Sequence, residues 1–373
     1  MTEADSAAGK RTRGGTGNFF IVDQRLWKAV CDAGDINAAA AFLVLLRGTG
    51  FDQRTTAWSV DAIKRYLHLG YVQAKAAVDK LIALNFIRHG EKHTQRKPRY
   101  DFLNVSERDA LTPKQRNGKL PKLEGDGDYN LIWVPNQIID GAAGEKPPVY
   151  KLRASGDLWA LRLFIDLYHE QNLRDEGGIA RTLIWEEYKT VNLGERGQYR
   201  ILGFESVTKE HNWIGPLLMH KCRPKPRPDY PDAEWTPGWA SLEILEKTGL
   251  LTFVPHLMEN GTEFAGPIHA FGVGGHSEHP LETQIGDEAR RAASKMCHTW
   301  QLEKAGRDGL MICPVSRDYP NAQLVGIARL HYRAHTKRTS AWESNLLSAG
   351  PECIAHFRRL AVEYAPTNEA VFA

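Results

Sequence analysis

WSVDAIKRYLHLGYVQAKAAVDKLIALNFIRHGEKHTQRKPRYDFL, residues 58–103, holds two short helical patterns, a tight turn between them and a strongly basic hairpin. Ser59 stands before the first pattern, where its side-chain oxygen can accept from the free N–H groups of an opening turn. Ile63, Tyr66 and Leu67 follow at helical spacing, and Gly70 is expected to make the turn. The second pattern runs from about Val72 to Leu84 and buries Ala74, Ala77, Val78 and Leu81. Leu84-Asn85-Phe86-Ile87 then leads into Arg88-His89-Gly90-Glu91-Lys92-His93-Thr94-Gln95-Arg96-Lys97-Pro98-Arg99-Tyr100, which alternates cations with turn residues and returns to an apolar strand. A helix able to enter a groove, followed by a cationic loop, predicts a polyanionic partner.

Upstream, Phe19, Phe20, Ile21 and Val22 form an apolar lead-in, with Leu26, Trp27 and Val30 at helical spacing. Asp35 or Asn37 can cap a helix through Ala38-Ala39-Ala40-Ala41-Phe42-Leu43-Val44-Leu45-Leu46, ended by Gly48 and Gly50. The first domain is therefore expected over residues 18–105. Residues 1–17, small and polar with Lys10, Arg11 and Arg13, read as a disordered basic arm without the apolar stretch of a secretory signal. Residues 106–127, punctuated by Pro113, Gly118, Pro121, Gly125 and Gly127, read as a linker.

A second domain is expected over residues 128–273, on the same plan as the first. Leu158 to Tyr168 parallels the apolar helix at 38–46, and Trp185-Glu186-Glu187-Tyr188 parallels the region after Trp58. In Trp239 to Leu251, aligning Leu245 with Leu81 sets Gly249 against Asn85, Leu250 against Phe86 and Leu251 against Ile87. A hairpin through Asn260-Gly261 into Phe264 follows. This copy carries an insertion over 192–237, with a basic proline-rich stretch, Lys221 to Pro228, expected to be extended. Residues 274–373 read as a C-terminal α+β region, with a helix over about Leu281 to Ala305, strands at Leu310–Cys313 and Leu324–Tyr332, and a last helix over about Pro351 to Tyr364. The fold class is therefore α+β: two tandem units and a C-terminal elaboration.

The chain has 373 residues, 42% hydrophobic and 25% charged, which suits a globular protein of two or three domains. No apolar run approaches the roughly 20 residues that span a bilayer. Cys31, Cys222, Cys297, Cys313 and Cys353 are scattered and odd in number, which argues against a disulfide framework and for a cytoplasmic location. The net charge of +3 hides an asymmetry. Residues 18–105 hold 13 Lys+Arg against 8 Asp+Glu, +5; residues 128–273 hold 15 against 20, −5; residues 274–373 hold 12 against 11, +1. The polyanion partner belongs with the first region.

The helix–turn–helix with its basic hairpin resembles the winged-helix superfamily over residues 36–103, with a weaker echo over 157–272. The marks are Ser59, Leu69-Gly70 at the turn, and Val78-Asp79-Lys80-Leu81-Ile82-Ala83-Leu84-Asn85-Phe86-Ile87 leading into the wing. Asn85 stands where the superfamily usually has Gly, and Asn is the next most tolerated residue in a left-handed helix end. The resemblance implies that the second helix enters the major groove with Gln73, Lys75, Ala76, Asp79 and Lys80 outward. Gln73 would pair with an adenine edge, and Lys75 and Lys80 would reach guanine or phosphate. Lys92, Arg96, Lys97 and Arg99 of the wing would neutralise phosphates or enter the minor groove. The second copy, with Glu243 and Glu246 on its corresponding helix, suits self-association or a protein partner instead.

Tandem units in this order resemble plasmid replication initiators in architecture, and a transcriptional regulator of a bacterial, plasmid or phage system would look the same. The expected function is duplex DNA binding by a non-enzymatic protein. The alternative is an assembly or adaptor protein that uses both units for protein docking. His269, His276 and His279 lack a nearby cysteine and read as part of a glycine-rich loop, so neither a metal nor another cofactor is expected. No nucleophile, acid–base or phosphate-loop spacing is present, so no catalytic residue is assigned.

Overall fold

Asp35 accepts hydrogen bonds from the N–H groups of Asn37 and Ala38 and so starts helix α2, Ile36–Arg47. Every residue from Ala38 to Leu46 is buried. A helix apolar on all sides must be enclosed by its neighbours, and the elements around it make up the first of two compact units. In the computed structural model, residues 18–50, 52–104, 131–142, 144–207, 213–214, 237–260, 266–272, 277, 279–333 and 337–365 are described. The expected basic arm, the 106–127 linker, the proline-rich stretch at 221–228 and His276 lie outside them. The first unit comprises Met1–His169 with Tyr332–Ala334; the second comprises Glu170–His331 with His335–Ala373.

The first unit opens with β1 (Phe19–Asp23) and α1 (Gln24–Asp32), followed after α2 by β2 (Thr55–Thr56), α3 (Val60–Leu67), α4 (Tyr71–Ala83), β3 (Ile87–His89) and β4 (Tyr100–Phe102). Helices α2, α3 and α4 pack on one another. The short strands form a three-stranded antiparallel sheet in the order β2-β4-β3, with Ile87 opposite Phe102 and His89 opposite Tyr100. Phe42 joins helices to sheet: its ring lies 5.3 Å from that of Phe102 and 6.5 Å from that of Phe86, both edge-on. The chain then continues through β5 (Leu131–Pro135), α5 (Gln137–Asp140), α6 (Pro148–Ser155) and α7 (Leu158–His169).

Residues 131–169, expected to open the second domain, thus belong to the first unit. Strand β5 pairs antiparallel with β1 from Phe19↔Pro135 to Asp23↔Leu131. Helix α7 packs on α1, where the Trp27 indole N–H donates to the Arg162 carbonyl oxygen and the Arg162 guanidinium meets Asp32 at 3.1 Å. The apolar helix at 158–169 is therefore a further layer on the first core and does not found a second one.

The second unit is a sheet covered by helices. Its strands are β6 (Gln171–Asn172), β7 (Gly178–Ile179), β8 (Ile184–Arg196), β9 (Tyr199–Ser206), β10 (Trp213–Ile214), β11 (Leu251–Met258), β12 (Pro267–Ala270), β13 (Met311–Ser316) and β14 (Gln323–Leu330). Its helices are α8 (Pro237–Lys247), α9 (Pro280–Met296), α10 (Thr299–Arg307) and α11 (Lys337–Glu363). Seven strands form one antiparallel sheet in the order β12-β11-β14-β8-β9-β13, with β10 beside β8. Buried Ile285, Ala289, Ala292, Ala293 and Met296 form a stripe along α9 that packs with Ile201, Leu202 and Phe204 of β9, Ile312, Cys313 and Val315 of β13, and Ile354 and Phe357 of α11.

This architecture corrects the tandem reading while keeping the mixed α+β class. Trp185 to Tyr188 lies in a strand, and Asn192 to Ser206, expected as part of an insertion, supplies most of the central β8–β9 hairpin. The strands of the C-terminal region are integral to the sheet: β14 sits between β11 and β8, and β13 extends the sheet beyond β9. Two further expectations shift. The helix expected over 281–305 is broken at Cys297, whose backbone is extended, so that His298 starts α10. The last helix begins well before Pro351, which it carries inside.

One part of the repeat survives locally. After α4, Asn85 takes a left-handed φ of 58° and the Phe86 N–H donates to the Leu81 carbonyl at 2.9 Å. After α8, Gly249 takes φ 70° and the Leu250 N–H donates to the Leu245 carbonyl at 2.8 Å. The aligned residues share one helix ending, and β11 pairs with β12, while Gly261 and Phe264 of the expected hairpin lie outside the described residues. Among the described residues no helix is long and apolar enough to cross a membrane.

Candidate nucleic-acid interface

Helix α3 begins where the Ser59 side chain accepts from the Asp61 N–H, and it ends at His68, in a left-handed conformation with φ 51°. The turn residue that needs this geometry is His68; Gly70, expected in that role, has φ −64° and precedes the first residue of α4. No atom lies within 4 Å of where a Gly70 Cβ would stand. Trp58 stacks on Tyr66 at 5.0 Å and occupies the space over Gly48, where a Cβ would come within 2.3 Å of the indole. That close approach is why Gly48 follows α2.

The hairpin after α4 is a set of nested turns. The Gly90 N–H donates to the Arg99 carbonyl, the His93 N–H to the Gly90 carbonyl, and Thr94 and Lys97 exchange backbone bonds at 3.2 Å in each direction. At its base Arg88 and Asp101 form a buried pair at 3.6 Å. His89, His93 and Tyr100 cluster on one face, with His89 and His93 ring centroids 3.9 Å apart. Burial, and then the neighbouring His93, lower the His89 pKa below the ordinary histidine value.

The residues expected to contact DNA divide into three sets. Lys92, Arg96, Lys97 and Arg99 are all exposed on the hairpin, and none forms an ion pair among the described residues. Gln73 is exposed on α4. Lys75 is exposed too, but its ammonium bonds Asp79 at 2.5 Å one turn on, which raises its pKa. Lys80 is only half-exposed and turns away from the outward face: its Nζ lies 3.0 Å from Asp35 Oδ2. Burial pushes the Asp35 carboxyl up, but the Ala38 N–H and the Lys80 ammonium outweigh it and lower its pKa. Lys80 thus supports the cap of α2 through its pair with Asp35. The contact spans 45 residues of sequence and has no local signal.

Tyr71 and Val72, which charge patterning does not single out, are the first residues of α4. Tyr71 is 56% exposed and Val72 79% exposed. The Lys64 ammonium lies 5.8 Å from the Tyr71 ring centroid. Their signal was present as two apolar residues off the stripe of Ala74, Ala77, Val78 and Leu81.

In the second unit the glutamates of the helix aligned with α4 are placed differently from the exposed residues of α4. Glu243 and Glu246 of α8 are half-buried rather than outward, and Glu243 pairs with Lys247 at 2.7 Å. A separate polar cluster is sealed in that unit's interior. The Arg329 guanidinium donates to Glu282 Oε2 at 2.6 Å, stands 3.2 Å from His256 Nε2 and lies 4.5 Å from the Trp342 ring centroid. Burial pushes the Glu282 carboxyl up, but Arg329 and then His256 outweigh it and hold it far below the usual carboxylate range. The cluster ties the start of α9 to β11 and β14. Of the histidines weighed as metal ligands, His269 holds the Ala270 carbonyl at 2.8 Å and His279 accepts from the Leu281 N–H at the start of α9.

Comparison with models of protein families, with characterised proteins and with solved structures finds no match to this chain.

Proposed function

We propose that the protein binds duplex DNA, with α4 lying in the major groove and the β3–β4 hairpin along the backbone. The observation that carries this reading is the hairpin itself: Lys92, Arg96, Lys97 and Arg99 are exposed and carry no ion pair among the described residues. Charges already paired within the protein gain little from phosphates, whereas free ones release counterions from DNA. The order helix–strand–helix–helix–strand–strand from α2 to β4, with the sheet order β2-β4-β3, supports a winged-helix assignment for this part of the first unit. The second unit serves assembly, through a second copy or a protein partner. Replication initiation and transcriptional control both use this binding step.

Fluorescence anisotropy with a labelled random-sequence duplex at low salt tests the reading. Micromolar or tighter binding is expected for the full chain, with loss of at least tenfold when Lys92, Arg96, Lys97 and Arg99 are replaced together by Ala. No detectable binding to any duplex at low salt overturns it. Exposed Tyr71 and Val72 favour the second reading, protein docking through the same helix. In that case substitution there abolishes assembly while the hairpin variant changes nothing.

A further inference from the structure

The face that α4 presents is apolar where a base reader was expected to be cationic. Of the two lysines assigned to it, Lys75 is bound to Asp79 and Lys80 to Asp35. Drawing Lys75 onto a guanine would leave the Asp79 carboxylate exposed beside phosphates, at a cost in repulsion. What remains free at the leading turn is Tyr71, Val72 and Gln73, followed one turn on by exposed Ala76. Gly70 brings no side chain in front of them, and the space around it is open. Within the major groove, the one apolar feature of a base pair is the C5-methyl group of thymine, whereas guanine presents only acceptors there. An apolar leading turn next to a glutamine matches a step in which Gln73 bonds adenine N6 and N7 and its neighbours cover a thymine methyl.

We infer that Val72, flanked by Tyr71, reads thymine methyl groups, so that this protein selects A·T-containing sites through apolar contact and not guanines through lysine. The inference rests on the DNA-binding reading and deepens it. The hairpin supplies affinity without sequence, and the start of α4 supplies the choice of base.

Deleting the methyl group from DNA separates the two. Duplexes bound by the full-length protein are first selected from a random-sequence pool, and the best binder is resynthesised with uracil in place of each thymine in turn. At one or two positions the uracil duplex should bind about fourfold more weakly, as expected for one buried methyl group. Val72→Ala should bind the thymine and uracil duplexes equally, the methyl-dependent difference being lost. Val72 is exposed, so this variant keeps the fold. Equal binding of thymine and uracil duplexes by the wild-type protein, or selection of sites without thymine, overturns the inference and leaves the DNA-binding reading standing. Failure to bind any duplex overturns the DNA-binding reading, and this inference with it.

Discussion

Leu81–Ile87 and Leu245–Leu251 end their helices at the same left-handed position, Asn85 in one and Gly249 in the other, and on the aligned carbonyl, and then part company. Beyond Ile87 the chain makes a short hairpin whose turn residues are cations facing solvent. Beyond Leu251 it enters β11, which pairs along its whole length with β14 and lies inside a seven-stranded sheet. A helix cap with its following apolar residue is a local device, satisfied by five or six residues of backbone. Which sheet the next strand joins depends on partners distant in sequence. The first unit leaves its hairpin free to meet a ligand, and the second consumes its strand in its own core.

Four perturbations break or sharpen this contrast, in decreasing order of effect. Glu282→Gln leaves Arg329 buried without a counter-charge and should cost the second unit roughly 3–5 kcal/mol in urea unfolding. Duplex binding by the hairpin should persist. A loss below about 1 kcal/mol would show that the buried pair does not secure α9 to the sheet. Acidification comes next. Burial holds the half-buried His269 down at a pKa of about 4 despite its bond to the Ala270 carbonyl. Between the ordinary histidine value and that point the unfolded chain takes a proton that the folded chain refuses. Stability contributed above pH 6.5 is therefore lost as the pH falls towards 4, on the order of 2–3 kcal/mol. His269→Gln should flatten that dependence, and an unchanged pH profile would contradict the assignment.

The shared helix ending is tested by Asn85→Ala and Gly249→Ala, each placing an alanine in the left-handed region at about 1–2 kcal/mol. Similar costs at the two sites support the local equivalence, and a cost at one site only breaks it. Gly70→Ser has the smallest expected effect. A serine there can cap α4 without meeting any neighbour and should stabilise it by about 0.3 kcal/mol. A loss of stability would place a hidden constraint at that turn.

The first unit was legible in the sequence wherever a signal was local. The unbroken apolar run Ala38–Leu46, the Ser59 cap, the stripe on α4 and the hairpin cations each declare themselves within a few residues. The second unit was not, because its sheet is assembled across the chain. Trp185 and Glu187 belong beside Ile327 and Val325, and no periodicity within 184–196 names those partners. The charges on β8, three glutamates among thirteen residues, also resemble the outer face of a helix. The Lys80–Asp35 pair was not legible for the same reason, since it joins residues 45 apart in sequence. Tyr71 and Val72 stand off the buried stripe of α4, but apolar type alone does not mark a residue as exposed.

Salt dependence of duplex binding tests the central claim most directly. The logarithm of the association constant, plotted against the logarithm of salt concentration, falls with a slope of about −0.9 per phosphate neutralised. The full-length protein should show a steep slope, and replacing Lys92, Arg96, Lys97 and Arg99 with Ala should make it shallower by about 3 to 4. Identical slopes for the two proteins would contradict the account, because the free cations of the hairpin would then not meet DNA.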